Sequence, residues 1–112
     1  MRLSAKDAAI AESKLRRYLL SISHPDGRAK AQYLGQLGYS EATWARLDAD
    51  LRAQHLSRDA VPAGRSAYGE KYEILGPLTG PNGKTAWVRS IWIILRGESH
   101  ARLVTLVPEE RT

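Results

Sequence analysis

Cysteine is absent from all 112 residues. That absence excludes a disulfide scaffold, a thiolate metal site and a cysteine nucleophile together. The three histidines, His24, His55 and His100, are far apart. None has another histidine or a carboxylate at a ligand spacing such as HxxxH, so no metal site is expected, and each reads as a loop, cap or surface histidine. Phosphate-loop patterns are missing too: there is no GxxxxGK[ST] and no GxGxxG, and GPNGKT reads as a hairpin turn. GxSxG is also lacking, which with the short length excludes an α/β-hydrolase. The opening MRLSAKDAAIAESK has no apolar core of signal-peptide length, and no later run is long enough to span a bilayer. The expectation is a cytoplasmic protein with no cofactor, no disulfide and no membrane attachment. No repeat or low-complexity tract is visible.

What is present is ordinary in bulk and basic in balance. Hydrophobic residues make up 43% and charged residues 26%, and 17 Lys+Arg against 12 Asp+Glu give a net charge of +5. A length of 112 residues suits one domain, 1–112, with one core. The basic excess points to an anionic partner, nucleic acid first and an acidic protein second, although solubility alone accounts for such a charge equally well.

The chain is organised around Thr85–Leu95, TAWVRSIWIIL, whose β-branched and aromatic density favours a strand. Trp87, Ile91, Ile93 and Leu95 fall on one parity, Val88, Trp92 and Ile94 on the other. A strand apolar on both faces is expected to be central and covered, at least in part, on both sides. Arg89 interrupts it, and a guanidinium there needs a carboxylate, a phosphate or a route to water.

Before that strand the periodicity is helical. Residues 1–11 form an irregular lead-in, with a helical start from Ser4 as an option. Leu15, Tyr18, Leu19 and Leu20 mark a first helix over 12–20, with Lys14, Arg16 and Arg17 on its other face. SHPDG breaks it and offers His24 or Asp26 as an N-cap. A second helix spans 28–37 and stops at Gly38. Ser40 caps a third, whose stripe is Trp44, Leu47 and Leu51, ending at His55 or Leu56. SRDAVPAGRS is a loop, after which the period becomes extended. Strands are expected over 68–75, 85–95 and 102–107, with Asn82-Gly83 as a hairpin turn and Val61 marking an optional fourth strand. The fold class is therefore α+β: two to three N-terminal helices (12–56) packed on a C-terminal antiparallel meander of three to four strands (66–108).

Chemistry-bearing side chains reduce to His24, Lys30, Arg65, Tyr68, Lys71, Tyr72, Arg89 and Thr105. Singly, each has a plain role: Lys30 and Lys71 as solvated cations, Tyr68 and Tyr72 half-buried with wet hydroxyls, Thr105 as a strand former. Arg89 fits such a role least well. An internal ion pair with Glu70 or Glu73 on the neighbouring strand is its ordinary alternative.

The runs KLRRYLLSISHPDGRAKAQYLGQLGYS, YGEKYEILGPLTGPNGKTAWVRSIWII and LVTLVPE resemble a small bacterial domain family of unassigned activity. Its members stand alone beside possible antitoxin partners or form the C-terminal tails of large secreted adhesins. The layout also resembles the barnase, colicin and RelE-like fold of toxin ribonucleases. In that group a basic helix residue, a strand arginine and a last-strand hydroxyl tend to converge on RNA. The resemblance implies Lys30, Arg89 and Thr105 for these roles, with His24 a weaker transfer as acid or base. It implies Arg65, Tyr68, Lys71 and Tyr72 as RNA-binding residues, no metal, and an acidic antitoxin or immunity protein as partner. Many such toxins carry a Lys-His or similar pair on the helix, whereas Ala31 follows Lys30 here. The activity implied is metal-independent endoribonuclease cleavage through the RNA 2′-OH. The competing expectation is a non-catalytic RNA- or protein-binding module.

Overall fold

The structure, a computed structural model, describes residues 1–109. Three helical segments precede a four-stranded antiparallel sheet of order β1-β2-β3-β4, in chain order. Helix α1 begins as Glu12–Lys14 and widens into a π-helical turn, Leu15–Leu19. Helix α2 is Arg28–Gly35. Helix α3 opens as a 3₁₀ turn, Glu41–Thr43, runs as an α-helix over Trp44–Asp50 and closes as a π turn over Leu51–His55. The strands are β1 (Val61–Arg65), β2 (Gly69–Thr79), β3 (Thr85–Leu95) and β4 (Arg102–Pro108).

The helix boundaries follow local chemistry. After α2 the chain closes with a Schellman pair: the Tyr39 N–H donates to the Leu34 carbonyl at 3.2 Å and the Gly38 N–H to Gly35 at 3.0 Å. Gly38 has φ of 97°, which a Cβ would oppose. At the start of α3 the Ser40 N–H donates to Thr43 Oγ1 at 2.9 Å, one half of a capping box. Strand β2 runs on past Leu75 through Gly76 and Pro77, because its whole length pairs with β3 from Gly69↔Leu95 to Thr79↔Thr85.

Strand β3 is central, but only one of its faces is sealed. Val88, Ser90 and Trp92 are fully buried against the helices, together with Ile74 and Leu78 of β2 and Leu106 of β4. Leu15, Leu19, Leu34, Leu47 and Leu51 supply the opposing side. Truncating any of these leucines to alanine costs about 2–5 kcal/mol. On the other face Trp87, Arg89, Ile91, Ile93 and Leu95 are half-exposed, so that side is covered only in part.

Two expectations are corrected. His55 is neither a cap nor a surface residue: it is fully buried, and joins α3 to the sheet through Ser90 Oγ at 2.7 Å and the Gly76 carbonyl at 3.2 Å. The carbonyl can only accept, so Nε2 carries the proton and Nδ1 accepts from Ser90, whose oxygen in turn accepts from Trp92 Nε1 at 2.9 Å. Burial lowers the His55 pKa to about 4, because a charged imidazole has no solvation there. Tyr68 is not half-buried but 76% exposed, since it lies in the β1–β2 turn, outside the ladder.

The lead-in has no regular helix yet is packed: Leu3, Ala8 and Ile10 are buried. Ala9 forms a parallel bridge with Arg102, covering the start of β4, and Arg52 ties Ala5 and Ala8 down through their carbonyls at 2.6 and 2.9 Å. Among the described residues no helix is long and apolar enough to cross a membrane.

Candidate active site at the edge of the sheet

Lys30 lies on α2 next to Ala31, whose burial fixes that helix against the core. Its side chain leaves the helix toward β4, and Nζ donates to Thr105 Oγ1 at 2.8 Å and to the Tyr18 hydroxyl at 3.0 Å. Thr105 is placed by a bulge: Ile91 pairs with Thr105, but Trp92 pairs with Leu103, so β4 holds an extra residue there. Tyr18 arrives from the π turn of α1. Its ring lies under the ammonium groups of Lys30 and Lys14, 5.2 and 5.4 Å from the centroid. The His24 ring meets it edge-on, with centroids 5.2 Å apart and planes at 80°.

This group is half-exposed throughout, and among the described residues neither Lys30 nor Lys14 is in an ion pair with a carboxylate. The Tyr18 phenol is lowered from its ordinary value of 10.0, first by the hydrogen bond from Lys30 and second by Thr105, with burial opposing. An ammonium donor stabilises phenolate more than phenol.

Neither His24 nor Asp26 is the N-cap of α2, which is Gly27 without a side-chain cap bond; His24 instead closes the turn before it. Its Nδ1 accepts the N–H groups of Asp26 and Gly27 at 3.0 and 3.1 Å. With that lone pair engaged, the neutral ring carries its proton on Nε2 and offers a donor there. Gly27 permits the arrangement: an added Cβ would run into the Tyr18 carbonyl oxygen, so α1 and the His24 loop approach as only glycine allows.

Arg89 does not touch Lys30, yet it shares the neighbourhood. It pairs with Val107 while Ile91 pairs with Thr105, which makes Arg89 and Thr105 diagonal neighbours in the ladder, a relation that puts backbones roughly 7–8 Å apart. The guanidinium is 35% exposed and held between Glu109, at 2.9 Å, and Glu73, at 3.8 Å. Glu73 is thus a partner on the adjacent strand, whereas Glu70 is engaged elsewhere, by Arg65 at 3.1 Å and the Tyr72 hydroxyl at 2.9 Å.

The remaining four sequence-selected residues lie away from this group. Arg65 ends β1, exposed Tyr68 occupies the following turn, and exposed Lys71 is on β2. Tyr72 faces the helices and is only 7% exposed, not half-buried as expected, and its hydroxyl donates to Glu70 at 2.9 Å. Among the described residues no cluster of three His, Asp or Glu side chains is arranged to hold a metal ion.

A family model described as a domain of unknown function, DUF6883, matches residues 2–110. The chain belongs to this family. A search of curated proteins finds no match. Among solved structures, a chain of a contact-dependent growth inhibition toxin–immunity protein complex from Klebsiella pneumoniae 342 aligns with a TM-score of 0.72. The alignment covers 96% of this chain and 98% of that one at 16% identity, a likeness of fold.

Within this DUF6883 chain, Tyr18 is the residue that sequence reasoning passed over. Its spacing with Leu15 and Leu19 made it one more member of an apolar stripe. The available signal was its setting, KLRRY, where a phenol follows three closely spaced cations, Lys14, Arg16 and Arg17.

Proposed function

We propose that this chain is a toxin-type endoribonuclease that cuts RNA without a metal, by attack of the 2′-OH on the adjacent phosphate. The observation that carries the reading is Lys30 Nζ bound at once to Thr105 and to a Tyr18 phenol of lowered pKa. RNA supplies its own nucleophile, so the protein must supply a base, an acid and positive charge.

In this reading Tyr18, as phenolate, takes the 2′-OH proton while the 2′-oxygen bonds to phosphorus. The P–O5′ bond breaks, and the 5′-oxygen takes the third ammonium proton of Lys30, the one not donated to Tyr18 or Thr105. The products are a 2′,3′-cyclic phosphate and a 5′-hydroxyl. Proton transfer from the Tyr18 phenol to the Lys30 amine, along their existing hydrogen bond, restores the pair. Thr105 fixes Lys30, the Nε2–H of His24 donates to a non-bridging oxygen, and Arg89 contacts the phosphate chain on the open face. Arg65, Tyr68 and Lys71 are proposed as more distant RNA contacts. The same cationic surface suits an acidic immunity or antitoxin protein, and the structural neighbour comes from a toxin–immunity complex.

A second reading, a non-catalytic RNA- or protein-binding module, is favoured by one observation: Arg89 already has two carboxylate partners. Incubation with total RNA in EDTA separates the two. The ribonuclease reading expects fragments ending in 2′,3′-cyclic phosphate and their loss in Lys30→Ala and Arg89→Ala. Intact RNA at high protein excess would leave the binding module.

A further inference from the structure

The turns β1–β2 and β3–β4 meet at one end of the sheet, joined by the Arg96 N–H donating to the Tyr68 carbonyl at 2.9 Å. Between them lie three adjoining cavities of about 150, 210 and 320 Å³, all lined in part by Glu70. The smallest is bounded by Arg65, Ser66, Gly69, Glu70 and Arg96. The largest takes in Lys71 as well as Arg65. Gly69 forms part of the wall because a Cβ there would run into the Ile94 carbonyl oxygen. Arg96 and Lys71 are in no ion pair among the described residues. Glu70 is satisfied by Arg65 and Tyr72, which leaves the groove cationic. Beside it Tyr68 holds its ring in solvent, 76% exposed, while its N–H is anchored to Ser66 Oγ at 3.2 Å.

A large aromatic ring kept in water on an anchored backbone, next to unpaired cations, has the chemistry of a single-strand nucleotide site. The ring stacks a base and the guanidinium groups hold phosphate. An acidic peptide would use the cations but would leave the ring unused. By register the groove lies four residues along the sheet from the Thr105 row, since Gly69 pairs with Leu95 and Thr105 with Ile91. At about 3.3 Å per residue that is roughly 13 Å, a few nucleotides along one strand.

We infer that this groove is an accessory subsite for single-stranded RNA, with a phosphodiester between Arg65 and Arg96 and a base stacked on Tyr68. It rests on the ribonuclease reading for its substrate class, and it adds Arg96 as a contact.

The test uses a labelled twelve-nucleotide RNA whose 2′-hydroxyls are methylated, which leaves it able to bind but without a nucleophile. Tyr68→Ala and Arg96→Ala are each expected to weaken its binding, followed by fluorescence anisotropy, about tenfold. Arg96→Ala should also reduce the salt dependence of binding by about one counterion. Tyr68→Phe, which keeps the ring, should bind like the unaltered chain. Cleavage of a dinucleotide, too short to reach the groove, should be unchanged in Arg96→Ala. Full affinity for the twelve-mer in Tyr68→Ala and Arg96→Ala overturns the subsite. So does full RNA affinity combined with lost binding to polyglutamate, which would mark the groove as facing acidic protein. Failure of the ribonuclease reading has a different signature: ordinary RNA stays intact with the unaltered chain, while Tyr68-dependent binding of the methylated strand persists.

Discussion

Lys30 and Thr105, 75 positions apart, are joined by a hydrogen bond of 2.8 Å. That bond locks a helix cation onto the bulged edge of the last strand and leaves one ammonium proton free to face a ligand. Replacing Lys30 with methionine keeps the side-chain length and removes the charge. RNA cleavage should fall by 10² or more, a magnitude typical of lost charge stabilisation or proton transfer. The chemical-denaturation midpoint should scarcely move, because the side chain is half-exposed. Retained cleavage would remove Lys30 from the site.

Tyr18→Phe deletes only an oxygen. In the unaltered chain the lowered phenol pKa places the phenolate form at lower pH than for an ordinary tyrosine, so cleavage should rise with pH through that lowered value. The phenylalanine variant should lose that rising limb and most of the rate. A pH–rate profile over the neutral and alkaline range makes the comparison, and an unchanged limb in Tyr18→Phe would exclude the phenol as base.

Glu109 occupies a position on Arg89 that a phosphate would need. Glu109→Gln should therefore strengthen RNA binding several-fold, seen as a lower KM with kcat little changed. Stability should change by less than about 1 kcal/mol, as for most half-exposed ion pairs. A KM unmoved by this substitution would mean that Arg89 meets no RNA.

His55 gives the fold an acid limit. Its pKa is lowered from 6.5 to about 4, so the native state binds fewer protons than the unfolded chain within that window. Its contribution is fully present above pH 6.5 and is lost as pH falls toward 4, on the order of 3 kcal/mol in total. His55→Gln should be less stable at neutral pH but should show a shallower decline between pH 6.5 and 5, measured by denaturant midpoints. Parallel slopes for the two proteins would show that His55 does not set the decline.

Gly27→Ala should cost about 1–3 kcal/mol through overpacking against the Tyr18 carbonyl and should reduce cleavage by displacing the His24 loop. Thermal melts and an RNA assay read the two effects separately. An alanine variant of unaltered stability would mean that α1 and the loop can part without cost.

Sequence periodicity by itself determined the α+β order, the central place of Thr85–Leu95, the Gly38 stop and the Ser40 start. Each depends on neighbours within a few residues or on burial averaged along one element, and such forces leave a local trace. Tertiary structure alone decided the rest. Tyr18 became a candidate base and not one more core residue because the bulge in β4 and the reach of Lys30 bring three distant segments to one point. His55 became a core residue because Ser90 and the Gly76 carbonyl, both remote in sequence, satisfy its two nitrogens. Arg89 remained between carboxylates on an open face because its strand is sealed on one side only. Those outcomes arise from long-range pairing, whose energetics no short window of sequence contains.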